Sequence, residues 1–348
     1  MRISICIPQY NRCRYLLQGL ESIRAQTYRD VEVVVSDDGS KDDSPTVIPE
    51  YLARSGMAHR FIQQPRNLGY DANLRAALAA ATGDYLFIMG NDDILPAVDT
   101  LARVAVLLEK HRPAVALGNV QTAGSQTVSK RVLSTRLHPG SVDTAIAMFR
   151  AFSCVTGVIF RRESFQEHNT SRYDGSVYVQ MFLGSRVVAS GGPLLAIDEV
   201  IATTSISVDG ALANNYGDTL GAYRWRFRPV SSGLDEVGRV VYEAISPYAG
   251  RTVVDDVRLR AAIFGQILAY SYPYWLHDFR SKGHPWAALN FALGCNPNRL
   301  MRGVRPGAAA TAAVWPVYLG ATFAGLVLPV NLAGALKDVV RGFAMRSR

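Results

Sequence analysis

The sequence predicts an α/β protein, with a Rossmann-like, mostly parallel sheet in residues 1–205 and a mainly helical region in residues 206–348. The first observation is that short β-branched runs alternate with segments of helical apolar spacing, which is typical of βαβ units. The second is that two of these runs end in adjacent aspartates, at residues 37–38 and 92–93. The third is that helical spacing dominates from residue 220 onward.

The elements of the first region follow one another in a regular order. Each strand-like run is short, apolar and bounded by turn residues, so we expect right-handed crossovers between parallel strands. Residues 121–140 are polar and are predicted to be a loop-rich connection, and residues 207–217 a polar boundary. We expect strands at residues 3–8, 31–36, 60–63, 85–89, 114–120, 152–160 and 194–204, and helices at residues 14–25, 44–55, 70–81 and 177–188, with another helix ending at residues 110–112.

Carboxylates follow the second and the fourth predicted strand at the point where each strand ends. Asp37 and Asp38 follow one strand, and Asp92 and Asp93 follow the other. Because the carboxyl ends of parallel strands open at one edge of a doubly wound sheet, we expect these acids around one cleft. Neighbouring carboxylates repel each other unless a cation lies between them, and a hard divalent ion meets that need. The alternative is that the Asp-Asp-Gly-Ser turn only caps the next helix.

Composition and charge argue against several classes of protein. The chain has 348 residues, 49% of them hydrophobic and 19% charged, which is typical of a globular protein. Its four cysteines show no paired metal-ligand spacing, which predicts a reducing compartment without structural zinc. The formal charge of +8 comes without a nucleic-acid-binding motif, so we expect no nucleic-acid partner. The first residues lack a signal-peptide pattern, which predicts a cytoplasmic catalytic region.

Several stretches in the first third of the chain resemble the family 2 glycosyltransferases, in the same order as in that family. They are SICIPQYNR at residues 4–12, VVVSDDGS at residues 33–40, and the block from NLG at residues 67–69 to the aspartates at residues 92–93. Ordered motifs at suitable spacing are far more specific than any one of them alone. The resemblance implies the A-type glycosyltransferase fold, a nucleotide-diphosphate-sugar donor and a divalent metal, Mg²⁺ or Mn²⁺.

The same resemblance implies roles for residues around the donor. Pro8 and Tyr10 should contact the nucleoside, Asp38 should accept a hydrogen bond from the base, and Asn73 should border the pocket. The polar connection at residues 121–140 is expected to lie over the donor.

The strand that ends in the second aspartate pair is expected to carry the metal site. By the resemblance, Asp92 holds the metal or the diphosphate, and Asp93 lies beside it as a second metal ligand. The chain departs from its apparent relatives at Asn91, near which many carry a further carboxylate. We expect Asn91 to hydrogen-bond a ribose hydroxyl, and one or two carboxylates beside the phosphates are enough for Mg²⁺.

The catalytic base is expected in the segment after residue 172. An inverting transfer requires a carboxylate that deprotonates the acceptor hydroxyl, and Asp174 is the only acid where relatives place this base. The alternative is that Asp174 only caps a helix, with Glu163 and Asp198 as reserve candidates for the base. The Gly-Ser-x-Tyr-x-Gln pattern at residues 175–180 resembles an abequosyltransferase-like subgroup, which suggests a deoxysugar donor.

The tail contains a long uncharged segment between basic residues. Residues 306–336 exceed the length of a membrane span, but Pro316 and Pro329 interrupt them and basic residues flank both ends. This pattern favours monotopic or peripheral attachment to an anionic membrane, at its cytoplasmic side. The alternative is a helical hairpin packed on the catalytic region or on a second copy in a homo-oligomer.

The motifs together predict an inverting, metal-dependent glycosyltransferase. We expect a nucleotide-sugar donor and a lipid-linked or membrane-proximal glycan acceptor, in the synthesis of a cell-envelope polysaccharide or glycolipid. The alternative is a non-catalytic protein on the same fold that binds nucleotide sugars or acts as a scaffold.

Overall fold

The computed structural model describes residues 1–125, 128–213, 229–250 and 252–346, without the side chains of residues 341 and 343–346. The chain separates into two compact units, Met1–Ala213 and Asn214–Arg348. This division lies later in the chain than the predicted boundary at residues 205 and 206, because residues 206–213 pack with the first unit. The predicted polar segment 207–217 lies outside the described residues from residue 214 on.

The first unit is built around a nine-stranded mixed sheet, counted over the described residues. Its strands are β1 Ile3–Gln9, β2 Val31–Asp37, β3 Ala58–Gln63, β4 Tyr85–Ile88, β5 Val115–Thr122, β6 Val128–Ser129, β7 Arg136–His138, β8 Val158–Arg161 and β9 Leu194–Thr204. A separate two-stranded hairpin consists of β10 Ser207–Val208 and β11 Ala211–Leu212.

The sheet is parallel in the half that carries the acidic strand ends. Its order is β3-β2-β1-β4-β8-β5-β9-β7, with β6 paired to β5. The pairs β3–β2, β2–β1, β1–β4 and β5–β9 are parallel, while β8 runs antiparallel to both β4 and β5. This architecture confirms the predicted Rossmann-like, mostly parallel sheet.

Helices cover the sheet and bury an apolar stripe against it. In α1 the buried residues Leu16, Leu20 and Ile23 recur at helical spacing, and they join Ile5 and Val33 of the sheet in one core. The helices of this unit are α1 Cys13–Arg24, α2 Ser44–Ser55, α3 Tyr70–Ala80, α4 Thr100–His111, α5 Val142–Met148, α6 Arg162–His168 and α7 Val179–Ala189.

Two predicted segments differ from the structure. Residues 121–140 are not only a loop, since they contain the short strands β6 and β7. The strand predicted over residues 152–160 is limited to β8, and a 3₁₀ turn at Phe149–Phe152 precedes it. Gly157 lies between the two at a φ of +78°, where an extended strand cannot continue.

The second unit is helical in its described residues, as predicted. A capping box at Thr252 and Asp255 begins α9, and Tyr272 of α10 stacks on Phe291 of α11 with ring centroids 5.4 Å apart. Its helices are α8 Leu234–Ile245, α9 Val253–Gln266, α10 Tyr272–Ser281, α11 Pro285–Gly294, α12 Pro297–Leu300, α13 Ala308–Val327 and α14 Val330–Arg346.

The uncharged tail forms α13 and the first part of α14, with a break at Leu328-Pro329. Among the described residues, α13 is the one helix with the length and apolar composition of a membrane span. Only 22% of its most apolar window is buried. The segment is therefore an apolar helix that the rest of the unit covers incompletely.

Candidate functional site

The candidate site lies at the edge of the sheet where β1, β2 and β4 end. Because β1 pairs in parallel with both β2 and β4, Asp38 and Asp92 follow the strands on either side of it. Gln9, the last residue of β1, connects the two sides. Its side-chain amide donates to Ser44 Oγ at 2.7 Å, and its Oε1 accepts from Asn91 Nδ2 at 2.8 Å. The sequence reasoning missed Gln9, whose signal is an amide at the end of an otherwise apolar strand.

The backbone carbonyl of Gln9 ties two further residues to the site. It accepts from Asn73 Nδ2 at 3.2 Å and from the Asp38 N–H at 2.9 Å. Two acceptor atoms nearby, Asn73 Oδ1 and Asp37 Oδ2, are buried without a hydrogen-bond partner among the described residues. Buried acceptors are almost always satisfied in folded proteins, so this edge has polar capacity for a ligand or water.

Asp92 presents its carboxylate beside a cation from the first loop. Arg12 Nη1 lies 3.2 Å from Asp92 Oδ1 and donates to Asn91 Oδ1 at 3.0 Å. The side chains of Arg12 and Asp92 are 23% and 10% exposed, so their attraction is less screened than that of a surface ion pair. The guanidinium therefore balances the charge of Asp92, a role that the sequence reasoning did not assign to Arg12.

Asp93 has a different environment from its neighbour. Its Oδ2 accepts a hydrogen bond from the Thr156 hydroxyl, and its Oδ1 accepts from the Ser205 N–H at 3.0 Å. Burial, reinforced by the charge of Asp92, raises the pKa of Asp93 to about 6. Both oxygens thus hold the turn against β8 and β9, and the predicted role of Asp93 as a second metal ligand requires it to exchange one of these contacts.

The residues at this edge offer a limited set of metal ligands. Within the described parts of the chain, no three His, Cys, Asp or Glu side chains come together at a distance suited to a metal. Mg²⁺ and similar ions nevertheless bind through one or two carboxylates when phosphates supply the other oxygens. Asp92 is the carboxylate here that fits this arrangement.

Asp38 organises the loop that leads into α3. Its two oxygens accept from the N–H groups of Leu68 at 2.6 Å and Gly69 at 3.0 Å. Pro8 is partly exposed at the end of β1, and Tyr10 follows on the first loop with 41% of its surface exposed. The structure thus brings Pro8, Tyr10 and Asp38 to the edge that carries Asp92.

The segment that contains Asp174 is held by α3. Arg75 binds the Asp174 carboxylate with two nitrogens, at 2.8 and 2.5 Å. One turn earlier, Asp71 accepts from the N–H groups of Val177 at 2.7 Å and Val179 at 3.1 Å. Asp174 is therefore part of an ion pair, and the sequence reasoning missed its partner. The signal in the sequence was the i, i+4 spacing of Asp71 and Arg75, which places both on one helix face.

The two reserve candidates for the base are held elsewhere. Glu163 follows Arg162, whose N–H donates to Asp84 O just before β4, so Glu163 lies at the opposite edge of the sheet from Asp92. Asp198 lies in an irregular part of β9, where its Oδ1 accepts from Asn119 Nδ2 at 2.8 Å.

A buried arginine supports the Asp93 turn from behind. Arg131 is 6% exposed and donates to the carbonyls of Gly118 at 2.7 Å, Cys154 at 2.9 Å and Thr156 at 3.0 Å. Thr156 in turn donates to Asp93. Residues 128–140 thus contribute a structural cation to the site, which the loop prediction did not anticipate.

The segment after β9 closes over the acidic turn. The Ile206 N–H donates to Asp92 O at 3.0 Å, and Ile94 and Thr203 form a backbone bridge. The hairpin of β10 and β11 then reaches α1, where Tyr15 Oη donates to Ala211 O at 3.2 Å. Residues 203–212 therefore belong to the site, and a sequence boundary at residue 205 cuts through them.

Comparison with known proteins relates the first half of the chain to one family. The model of "Glycosyl transferase family 2" matches residues 4–168. The chain is 30% identical over 173 residues to an uncharacterised glycosyltransferase of Nostoc. This alignment covers 48% of this chain and 53% of that protein. The chain is 38% identical over 111 residues to the abequosyltransferase RfbV of Salmonella typhimurium. This alignment covers 31% of this chain and 33% of that protein.

A solved structure supports the fold. TarS of S. aureus, in complex with UDP-GlcNAc, superposes with a TM-score of 0.64 at 16% identity, over 99% of this chain and 92% of that chain. At this identity the likeness establishes the fold. The match over residues 4–168, the related glycosyltransferases and the shared fold together show that the chain carries a glycosyl transferase family 2 domain, and they support its assignment as a glycosyltransferase.

Proposed function

We propose that the chain is an inverting glycosyltransferase that takes its sugar from a nucleotide-diphosphate-sugar donor. The observation that carries the proposal is the placement of Asp92, with Arg12 and Asn91, at the carboxyl edge where β1, β2 and β4 end. Open α/β sheets bind ligands at such an edge. The TarS structure that shares the fold holds UDP-GlcNAc, which supports a donor of this class.

The residues of the first loop and of α3 would bind the donor. Tyr10 is exposed and can stack on the nucleobase, with Pro8 and Asp38 beside it. Asn91 and Asn73 carry amides suited to ribose hydroxyls. Arg12 is placed to neutralise a diphosphate, because a guanidinium matches the geometry of phosphate oxygens.

Asp92 would hold a divalent metal, Mg²⁺ or Mn²⁺, together with the diphosphate. When bound, such a metal stabilises the negative charge that develops on the departing diphosphate. Arg12 must then exchange part of its contact with Asp92 for the phosphate oxygens. Asp93 holds the turn that presents Asp92.

Asp174 is the proposed base that deprotonates the acceptor hydroxyl. Its carboxylate is now shared with Arg75, so the acceptor hydroxyl must replace one of the guanidinium contacts. Asp174→Asn is expected to abolish transfer and to leave donor binding intact. A fully active Asp174→Asn variant would remove Asp174 from this role.

The donor site is tested by a thermal-shift screen of nucleotide sugars with Mn²⁺ present. A specific donor should raise the unfolding temperature in proportion to its affinity and concentration. Asp92→Ala should lose this shift, whereas the control Asp143→Ala, an exposed acid in α5, should keep it. An unchanged shift in Asp92→Ala contradicts the assignment of the site.

The acceptor is proposed to be a lipid-linked or membrane-proximal glycan, as in the synthesis of a cell-envelope polysaccharide or glycolipid. The exposed apolar helix α13 and the exposed Arg302 and Arg305 before it support attachment to an anionic membrane at its cytoplasmic side. The partial likeness to an abequosyltransferase supports a deoxysugar donor.

A non-catalytic donor-binding or scaffold role is the second candidate. The ion pair that occupies Asp174 favours it, because a base must be accessible to the acceptor. Binding of a nucleotide sugar without turnover on any glycan or glycolipid acceptor distinguishes this candidate from the enzyme.

A further inference from the structure

An apolar cavity lies within the helical unit, between α10, α13 and α14. Its volume is about 250 Å³, and most of its lining side chains are apolar or small. The lining includes Pro273 of α10, Val317, Ala321 and Ala324 of α13, and Leu336 of α14. The small side chains on α13 leave room that a leucine at the same positions would fill.

Exposed apolar side chains lie at the cavity and on the helices that line it. Two of its lining residues, Val317 and Leu336, are 37% and 43% exposed. Phe323, Val327 and Leu332 on the same two helices are 61%, 62% and 54% exposed. Exposed apolar surface of this extent marks a site for a membrane, a ligand or another protein.

One cation lines the cavity together with one histidine, and no acid does among the described residues. The Lys337 ammonium lies 5.7 Å from the centre of the Tyr274 ring and 3.3 Å from Asp338 Oδ1, with its side chain 20% exposed. Its position between an aromatic ring and the cavity keeps the charge near the apolar space. An anionic group attached to a hydrocarbon chain complements this arrangement.

We propose that the cavity binds one hydrocarbon chain of a phosphate-bearing lipid, with the phosphate next to Lys337. Burying a chain in a preformed apolar space removes its methylenes from water, and this removal favours binding. The lysine then selects an anionic head over a neutral one. The inference rests on the proposed function for its membrane setting, and it adds a site for an individual lipid molecule of that membrane.

The test uses the full chain and three soluble probes: dodecyl phosphate below its micelle concentration, dodecanol and inorganic phosphate. Calorimetric titration should show saturable one-to-one binding of dodecyl phosphate, weaker binding of dodecanol and no competition by inorganic phosphate. The cavity-filling variants Ala321→Leu and Ala324→Leu should weaken the binding of dodecyl phosphate at least tenfold. Ala313→Leu adds the same side chain at an exposed position of α13 and should bind as the wild type does.

The charge is tested with a second matched pair. Lys337→Gln should weaken the binding of dodecyl phosphate and leave the binding of dodecanol unchanged. The control Lys282→Gln also removes a lysine paired with an aspartate, and it should change the binding of neither probe. Thermal unfolding checks that each variant is folded. Wild-type binding in both cavity-filling variants overturns the proposal, and so does an unsaturable uptake that all variants share.

The other occupant of such a surface is a second copy of the chain. A dimer, measured by sedimentation, that Ala324→Leu dissociates would assign the cavity to self-association and overturn the lipid proposal. Donor binding in the first unit is measured separately, by the thermal shift with nucleotide sugars. A failure of that assay concerns the proposed function, and a failure of dodecyl phosphate binding concerns the cavity.

Discussion

Asp92 and Asp93 are adjacent in the chain and have opposite roles in the structure. Asp92 faces the cleft with Arg12, and Asp93 is buried against Thr156 and the Ser205 backbone. Since successive residues in an extended turn point in different directions, two neighbouring acids need not share one ligand. Each can be tested with a single substitution.

Asp93→Asn should change how stability depends on pH. The raised pKa means that the folded state binds a proton more tightly than the unfolded state, so stability from Asp93 is present at low pH and is lost as pH rises from about 4 to about 6. The loss is about 3 kcal/mol for a shift of this size. Relative to the wild type, Asp93→Asn should therefore gain free energy of unfolding between pH 4 and pH 7.

Urea unfolding at several pH values measures this difference directly. The amide can still accept from the Ser205 N–H, so the turn should be retained. A difference that stays constant with pH contradicts the raised pKa. Loss of Mn²⁺-dependent donor binding in Asp93→Asn would restore Asp93 as a metal ligand.

Arg12→Gln should weaken the binding of nucleoside diphosphates. A charge-assisted hydrogen bond contributes about 1.5–3 kcal/mol, so we expect a loss of roughly ten- to a hundredfold in affinity for UDP or GDP, whichever binds. The loss should be larger without Mn²⁺, because Arg12 is then the main cation near Asp92. The control is Arg24→Gln, which removes an exposed arginine that is paired with Glu21 at the far end of α1. Equal affinities of Arg12→Gln and the wild type would exclude a role in binding the diphosphate.

At the scale of elements, α3 connects the donor edge to the loop that carries the proposed base. Asn73 points to Gln9, whereas Asp71 and Arg75 hold residues 174–179. Val177 in this loop has a φ of +67°, which is unfavourable for a β-branched residue. The conformation therefore depends on the hydrogen bonds that α3 supplies.

Asp71→Ala should release this loop. The N–H groups of Val177 and Val179 lose their acceptor, and an unpaired buried donor costs about 1–3 kcal/mol. Hydrogen exchange at these two amides should become roughly five- to 150-fold faster. The Thr144 N–H, which the Ser141 side chain caps in α5, is an internal reference and should not change. Unchanged protection at Val177 would show that the loop is held by other contacts.

The sequence alone predicts the elements that are marked by residues close together in the chain. Apolar runs bounded by turn residues locate β1, β2 and β4, and the resemblance locates the acids that follow them. The ion pair of Arg75 with Asp174 joins residues far apart in the chain, and neither charge alone indicates a partner. From the sequence alone, Arg131 is predicted to lie in a loop. Its burial depends on the carbonyls of Gly118, Cys154 and Thr156, which only the folded sheet brings together.

At the scale of the whole molecule, the two units carry different surfaces. The first unit carries Asp38, Asp92 and Arg12 at one polar edge of its sheet, and the second has exposed apolar helices with basic residues near them. Part of the net charge of +8 is therefore concentrated at one place, since Arg302 and Arg305 lie just before the uncharged helix α13. Such a pattern is suited to an anionic interface.

Replacing both Arg302 and Arg305 with glutamine should weaken binding to vesicles of phosphatidylglycerol and phosphatidylcholine. Each basic residue near an anionic surface contributes about 1 kcal/mol, so the double variant should bind roughly thirtyfold more weakly at low salt. The double variant Arg24→Gln and Arg54→Gln removes the same charge from exposed ion pairs of the first unit and should bind as the wild type does. Added salt should narrow the difference, because it screens the surface potential within a Debye length. If both double variants bind equally weakly, net charge alone governs the association. If both bind as tightly as the wild type, the apolar face of α13 is its sole source.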